Sequence, residues 1–291
     1  MNQLLNLSFF LLKLLPLRVY YVVADFFFFL TYYIIRYRRK VVRKNISRAF
    51  PSENPANAKS IEKRFYRHLA DYMVESAAMV RLTRSDYSRR FKFGNIDVLN
   101  SILSRGKNVL LATGHYGNWE WMCSLPFYSE HTVFAVYKEQ RNRFINSAML
   151  YSRKKNGMRL LSYPAVYREI LTMQPEKNIA VLILADQRPK MENKAHWIEF
   201  MNQDITYFRG LENLNKALQG VTLYVRILKK KRGYYTIDFI PLTPEPAEDN
   251  TGEWLTKKYF KALEETIKLD PAYYLWSHNR WKFVKPAPEV D

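Results

Sequence analysis

The run IAVLILAD, residues 179–186, is apolar at every position before its terminal aspartate. A strand with one face in water alternates apolar and polar residues, so a run this uniform must be covered on both faces. VLLAT at 109–113 has the same character, and TVFAVYK (132–138), TLYVRIL (222–228) and YYTIDFIPL (234–242) also read as strands. Between and after them lie helix-like runs: RFINSAMLYSRKKNG (143–157), AVYREILTM (165–173), FRGLENLNKALQG (208–220) and EWLTKKYFKALEETIKL (253–269). An earlier helix is expected over 56–81, where Ile61, Phe65, Leu69, Tyr72, Met73 and Ala77 recur at helical spacing. Strands alternating with helices predict an α/β fold, a mostly parallel central sheet flanked by helices.

The N-terminus is of another kind. Residues 4–35 are apolar and aromatic, broken by Lys13, Pro16, Arg18 and Asp25. They lack the basic start, short core and small-residue cleavage site of a signal peptide. Residues 19–35 are near the lower length limit for crossing a bilayer, and Asp25 makes a clean crossing costlier. Phe26, Phe27, Phe28 and Phe29 cover every face of a helix, which favours lipid over a one-sided core. RYRRKVVRK follows at 36–44, a basic cluster suited to anionic headgroups. The reading is a hydrophobic membrane-anchoring helical segment with its basic juxtamembrane stretch (1–44), spanning or re-entrant, and a catalytic domain (45–291). A buried hydrophobic hairpin in a soluble protein is the competing reading. The formal charge of +19 points to an anionic partner. The one cysteine, Cys123, excludes an intrachain disulfide and a cysteine zinc cluster, and reads as a small buried residue.

The chemistry concentrates in GHYGNWE, residues 114–120, directly after the strand at 109–113. Open α/β sheets place ligands at the carboxyl ends of their strands. His115 falls on that loop, Asn118 is a helix N-cap, and Glu120 falls in the first helical turn. The turn would fold the Glu120 carboxylate back onto one imidazole nitrogen and leave the other facing the cleft. His115 is then a general base for a substrate that brings its own hydroxyl. The plainer reading is a histidine bonded to its loop and a glutamate favouring a helix N-terminus. The spacing does not match a zincin motif, and there is neither a dinucleotide fingerprint nor a Walker motif, so no metal or bound organic cofactor is expected. Asp186 ends its strand and should also face the cleft, as an organiser of the site or as an N-cap; Arg188 beside it suits a phosphate.

ATGHYGNWEW (112–121) resembles the catalytic block of the bacterial lipid A biosynthesis acyltransferases, the late enzymes that add secondary acyl chains. Their wider glycerolipid and lysophospholipid acyltransferase superfamily is marked by His, four residues, then Asp or Glu. Four more blocks are similar and follow in order: RRKVVRKNISRAFPS (38–52) before it, then YKEQRN with SRKKNG (137–142 and 152–157), LADQ (184–187) and YYLWSHNRWK (273–282). The chain departs from the family pattern at Lys138-Glu139, where Arg-Pro is usual, and at WIEFMNQDITYFRG (197–210), which keeps Phe200 and Gly210 of an aromatic segment.

The resemblance implies transfer of an acyl chain from an acyl carrier protein thioester to a hydroxyl on a lipid A precursor, without an acyl-enzyme. It implies His115 and Glu120 as the catalytic pair, and Asn118, Lys138, Asn142, Arg153, Gly157, Asp186, Gln187 and Arg188 as substrate-binding positions. The partners implied are the acidic carrier, the phosphorylated glycolipid and a membrane; no nucleic acid is expected. The place implied is the cytoplasmic face of a bacterial inner membrane. Oxyanion donors are sought among backbone NH groups near Gly114 or Gly117, or in a nearby basic side chain. The basic runs at 152–159 and 229–232 are candidate contacts for carrier or phosphate, or simply solvated faces. His278 and Arg280 are read as structural or headgroup-facing, having no carboxylate close by in sequence. Two other functions compete: the same chemistry on another glycolipid or an aminolipid, and a non-catalytic basic protein that binds membrane surfaces or nucleic acid.

Overall fold

The computed structural model describes residues 14–163, 165–173, 178–188, 196–207, 209–244, 253–283 and 285. The described chain opens with α1 (Leu17–Phe29), which runs on into a π-helical turn at Leu30–Ile34. Three helices follow: α2 (Arg39–Ala49), α3 (Pro55–Ala78) and α4 (Arg84–Arg90). Their starts are written locally. Asn54 caps α3 by accepting from the Asn57 N–H, with Pro55 in the first turn, and Thr83 and Asp86 close a capping box on α4.

The rest is an α/β sandwich. Seven strands form one sheet in the order β1-β9-β8-β2-β5-β3-β4: β1 (Phe91–Phe93), β2 (Val109–Thr113), β3 (Val133–Tyr137), β4 (Arg159–Ser162), β5 (Ala180–Leu184), β8 (Val221–Lys231) and β9 (Tyr234–Leu242). Helices α5 (Ile96–Ser104), α6 (Arg143–Lys155), α7 (Val166–Thr172), α8 (Gly210–Leu218) and α9 (Trp254–Leu269) flank it. Every pairing in the sheet is parallel except β8 with β9. A separate antiparallel hairpin, β6 (His196–Phe200) with β7 (Gln203–Tyr207), occupies the segment where the family pattern is broken. The mostly parallel sheet expected from the apolar runs is what the structure shows. β2 is buried at all five positions, as its uniform apolarity required.

The expected stripe on α3 needs correction. Ile61 and Phe65 are buried, but Met73 and Ala77 face out, and Glu62, His68, Asp71 and Glu75 are buried instead. Charged residues occupy this inner face because each has a partner from far along the chain: Arg39 and Arg43 for Glu62, Lys229 and Arg232 for Asp71, and Tyr21, Asn118 and Tyr235 for Glu75. A buried charge is tolerable when paired and hydrogen-bonded, and apolar periodicity is blind to it. α1 lies against α3 and shares its core: Tyr20, Ala24, Phe28 and Tyr32 belong to the same buried cluster as the sheet.

Candidate active site

β2 and β5 are adjacent and parallel, with Thr113 opposite Leu184. Two residues beyond each, His115 and Asp186 leave the same end of the sheet side by side. Asp186 holds both ends of the histidine. Its Oδ1 lies 2.5 Å from Nδ1, and its Oδ2 accepts the His115 backbone N–H at 3.0 Å. The pair is nearly closed off, with side-chain exposures of 12% for His115 and 3% for Asp186. Burial opposes the Asp186 charge, but the imidazole, its two hydrogen bonds and the Arg280 guanidinium outweigh it, and the carboxyl titrates below its usual range. An ionised carboxylate only accepts, so Nδ1 carries the proton. With Nδ1 as donor, Nε2 is left to accept, and the Gln187 amide donates to it at 2.9 Å.

This places Asp186 where the sequence reading put Glu120. The Glu120 carboxylate turns away and takes Arg153 from the last turn of α6, Nη2 to Oε2, at 2.7 Å. The two side chains are 7% and 13% exposed. A five-residue loop-and-turn spacing is compatible with a carboxylate folding back, but the sheet register brings a second carboxylate to Nδ1 with better geometry. Arg153 claims the first. Glu120 and Arg153 line a cavity of about 20 Å³ with Trp119, Ala135, Val136, Leu182 and Leu184. Trp119 meets His115 edge-on, ring centroids 4.9 Å apart, and so joins the histidine to that apolar slot.

The loop between them is fixed by its own glycines and by the chain's C-terminal end. A methyl group at Gly114 would stand 2.7 Å from Leu263 Cδ1 of α9, and Gly117 has φ +62. The Gly117 N–H donates to the Tyr273 carbonyl, the Tyr116 N–H to Gly114, and the Leu275 N–H to the His115 carbonyl. The NH groups of residues 115, 116 and 117 are therefore spent within the fold and are not free as oxyanion donors. Asn118 caps the following 3-10 helix (Trp119–Phe127) by accepting from the Trp121 N–H, as expected, and donates its amide to Glu75 at 2.7 Å.

The remaining expected positions fall into place less evenly. Asn142 accepts from the Ile145 N–H as the N-cap of α6, and Gly157 ends that helix with φ +87, so both have structural duties. Lys138 is exposed, with its ammonium 5.9 Å from the Tyr163 ring. Arg188 stacks 4.5 Å over Phe283. The basic runs are committed internally in part: Lys229 and Arg232 pair with Asp71 and Lys155 donates to the carbonyls of Val80 and Leu82, while Lys154, Arg159, Lys230 and Lys231 are exposed. Cys123 is buried, and burial pushes its thiol up to about 11, which makes it a poor nucleophile. Among the described residues no cluster has the makings of a metal site.

Three residues were not legible as partners of the site. Arg280 is 2% exposed, donates Nη1 to the Thr206 carbonyl, and adds positive charge beside Asp186. Tyr259 donates to the Thr113 carbonyl at the end of β2. Glu75 braces Asn118 from α3. The signal for Arg280 was the aromatic and basic 273–282 block; its carboxylate simply lies on another strand.

The sequence model of the family described as bacterial lipid A biosynthesis acyltransferase matches residues 3–283. A comparison with curated proteins returns no match. The match covers nearly the whole chain, which belongs to the lipid A biosynthesis acyltransferase family and is an acyltransferase.

Proposed function

We propose that this member of the lipid A biosynthesis acyltransferase family moves a fatty acyl group from the thioester of an acyl carrier protein to a hydroxyl of a lipid A precursor. The observation that carries the mechanism is the His115–Asp186 pair, with Nδ1 bound to carboxylate and Nε2 left as a base. The acceptor hydroxyl takes the place of the Gln187 amide at Nε2. His115 removes its proton as the oxygen attacks the thioester carbonyl. Asp186 keeps the imidazole in the required tautomer and offsets the charge that develops on it. The tetrahedral oxyanion needs a donor. The Arg153 guanidinium, braced by Glu120 at 2.7 Å, supplies it better than the committed NH groups of residues 115–117. Collapse of the intermediate breaks the C–S bond, and the leaving thiolate recovers the proton from His115.

The anionic character of both substrates suits a chain of net charge +19. The apolar α1 followed by basic residues 36–44 fits work at an anionic leaflet, which we place at the cytoplasmic side of the bacterial inner membrane. The test is direct. Proteoliposomes carrying the protein receive a tetra-acylated lipid A precursor and a panel of carrier thioesters, and products are resolved by mass. Gain of one acyl chain supports the assignment. Acylation only of another glycolipid or aminolipid would move the acceptor while keeping the chemistry. No acylation of any lipid hydroxyl would overturn it.

A further inference from the structure

The helix formed by Leu17–Ile34 is long and apolar enough to cross a bilayer, yet it is not a free-standing rod. Leu17, Tyr20, Ala24 and Phe28 make one buried seam at helical spacing, and it packs along α3. Charged groups of the catalytic domain and of the basic stretch at 36–44 meet this helix along its length. Arg232, from the β8–β9 hairpin, stacks 4.7 Å over the Tyr21 ring and pairs with Asp25 at 2.7 Å, while also binding Asp71. The Arg67 guanidinium lies 5.0 Å over Phe28, and that of Arg39 lies 4.5 Å over Tyr32. The Tyr21 hydroxyl donates to Glu75. A helix upright in the membrane would carry all of these ionised partners into hydrocarbon with it, where charged side chains are strongly disfavoured.

The other side of the same helix tells where it does go. Val22 and Phe26 are 69% and 62% exposed, and Val19, Val23, Phe29, Tyr33, Ile34 and Ile35 are also exposed. A continuous apolar strip this large is not left to water. It ends in exposed basic residues Arg36, Arg38, Lys40, Arg43 and Lys44, which complement anionic headgroups. We infer that Leu17–Ile34 lies in the plane of one anionic leaflet, its inner face clamped to the catalytic domain by Asp25–Arg232–Asp71 and Tyr21–Glu75 and its outer face among the lipid chains. The inference rests on the membrane reading of the proposed function but not on the reaction. It also explains how the site meets its lipid. Glu75 accepts from Tyr21 on the lipid-bearing helix and from Asn118 on the catalytic loop, so two side chains join leaflet and loop.

Depth measurement tests this. Nitroxides are attached to Val22→Cys, Phe26→Cys, Phe29→Cys and Ile34→Cys, one at a time, with Cys123→Ala to remove the native thiol. Each variant goes into vesicles of phosphatidylethanolamine and phosphatidylglycerol, and depth is read from collisions with oxygen and a nickel chelate. The expected result is one shallow depth for all four, about 5–10 Å below the phosphates. A profile with Phe26 deep at the midplane and Ile34 near a headgroup region would show a crossing helix and overturn the inference. Water contact at all four, or spin–spin broadening from a second copy, would overturn it as well. Acyl transfer measured in the same vesicles separates the two failures: a crossing helix with full activity removes the in-plane arrangement and leaves the function standing.

Discussion

His115 Nδ1 and Asp186 Oδ1 are 2.5 Å apart although 71 residues separate them in the chain. The approach is a consequence of sheet register, since β2 and β5 run parallel and in step up to Thr113 and Leu184. It makes Asp186 the group that sets the tautomer of His115. Asp186→Asn has one acceptor for two NH donors, so Nδ1 is forced to lose its proton and Nε2 to gain it. We predict a fall in kcat of about 10³–10⁴-fold with KM changed little, and a fold that survives. Steady-state kinetics beside thermal unfolding checks both halves.

Glu120 and Arg153 form the second buried pair. Arg153→Ala strands a carboxylate without its cation and is expected to cost about 3–5 kcal/mol of stability. The double variant Glu120→Gln with Arg153→Met removes both charges and should recover much of that stability while acyl transfer stays lost. Denaturant melts of the three proteins decide it. Full activity in the double variant would remove Arg153 from the oxyanion role.

Glu75 is fully buried under three hydrogen bonds, from Tyr21, Asn118 and Tyr235. Burial raises its carboxyl pKa; the Lys229 charge and the bonds from Tyr235 and Asn118 reduce the rise without cancelling it. A raised folded-state pKa contributes stability that is complete below the unfolded value and is lost as pH climbs through the folded one. Glu75→Gln keeps an acceptor for Asn118 and Tyr235 and a donor for the Tyr21 oxygen. It should fold and show a flatter stability profile above pH 4.5. Glu75→Ala leaves those donors unpaired and should lose about 2–5 kcal/mol.

His278 is half-buried among Arg280, His115, Arg188 and Asp186. Burial pushes its imidazole down to about 4 from 6.5; Asp186 opposes the shift, and the neighbouring cations reinforce it. Below pH 6.5 the unfolded chain binds a proton that the folded one refuses, so acid destabilises the fold until about pH 4 is reached. With solvent screening allowed for, the loss between pH 7 and 5 is about 1–2 kcal/mol. His278→Gln should remove that part of the pH dependence in melts taken at the two values.

Much of this was visible in the residues alone. The uniform apolarity of 109–113 and 179–186 gave the parallel sheet, and the glycine-histidine loop after the first of them located the site. Asp186 was visible as a cleft residue, but its pairing with His115 is a matter of strand order, β2 beside β5, which no local pattern encodes. Local spacing alone therefore favours the nearer carboxylate, Glu120. Glu75 and Asp71 stayed hidden for a related reason: charges on the buried face of α3 look like a solvated face until their partners at 229–235 arrive from the hairpin.

The central claim is that His115 is the general base, and chemical rescue tests it most directly. Single-turnover transfer from a carrier thioester to the lipid A precursor is measured for wild type and for His115→Ala, with and without added imidazole. The account predicts a loss of about 10²–10⁴-fold in His115→Ala. It also predicts partial recovery with imidazole that grows with the concentration of its neutral form. A His115→Ala protein that transfers acyl chains at the wild-type rate would contradict it.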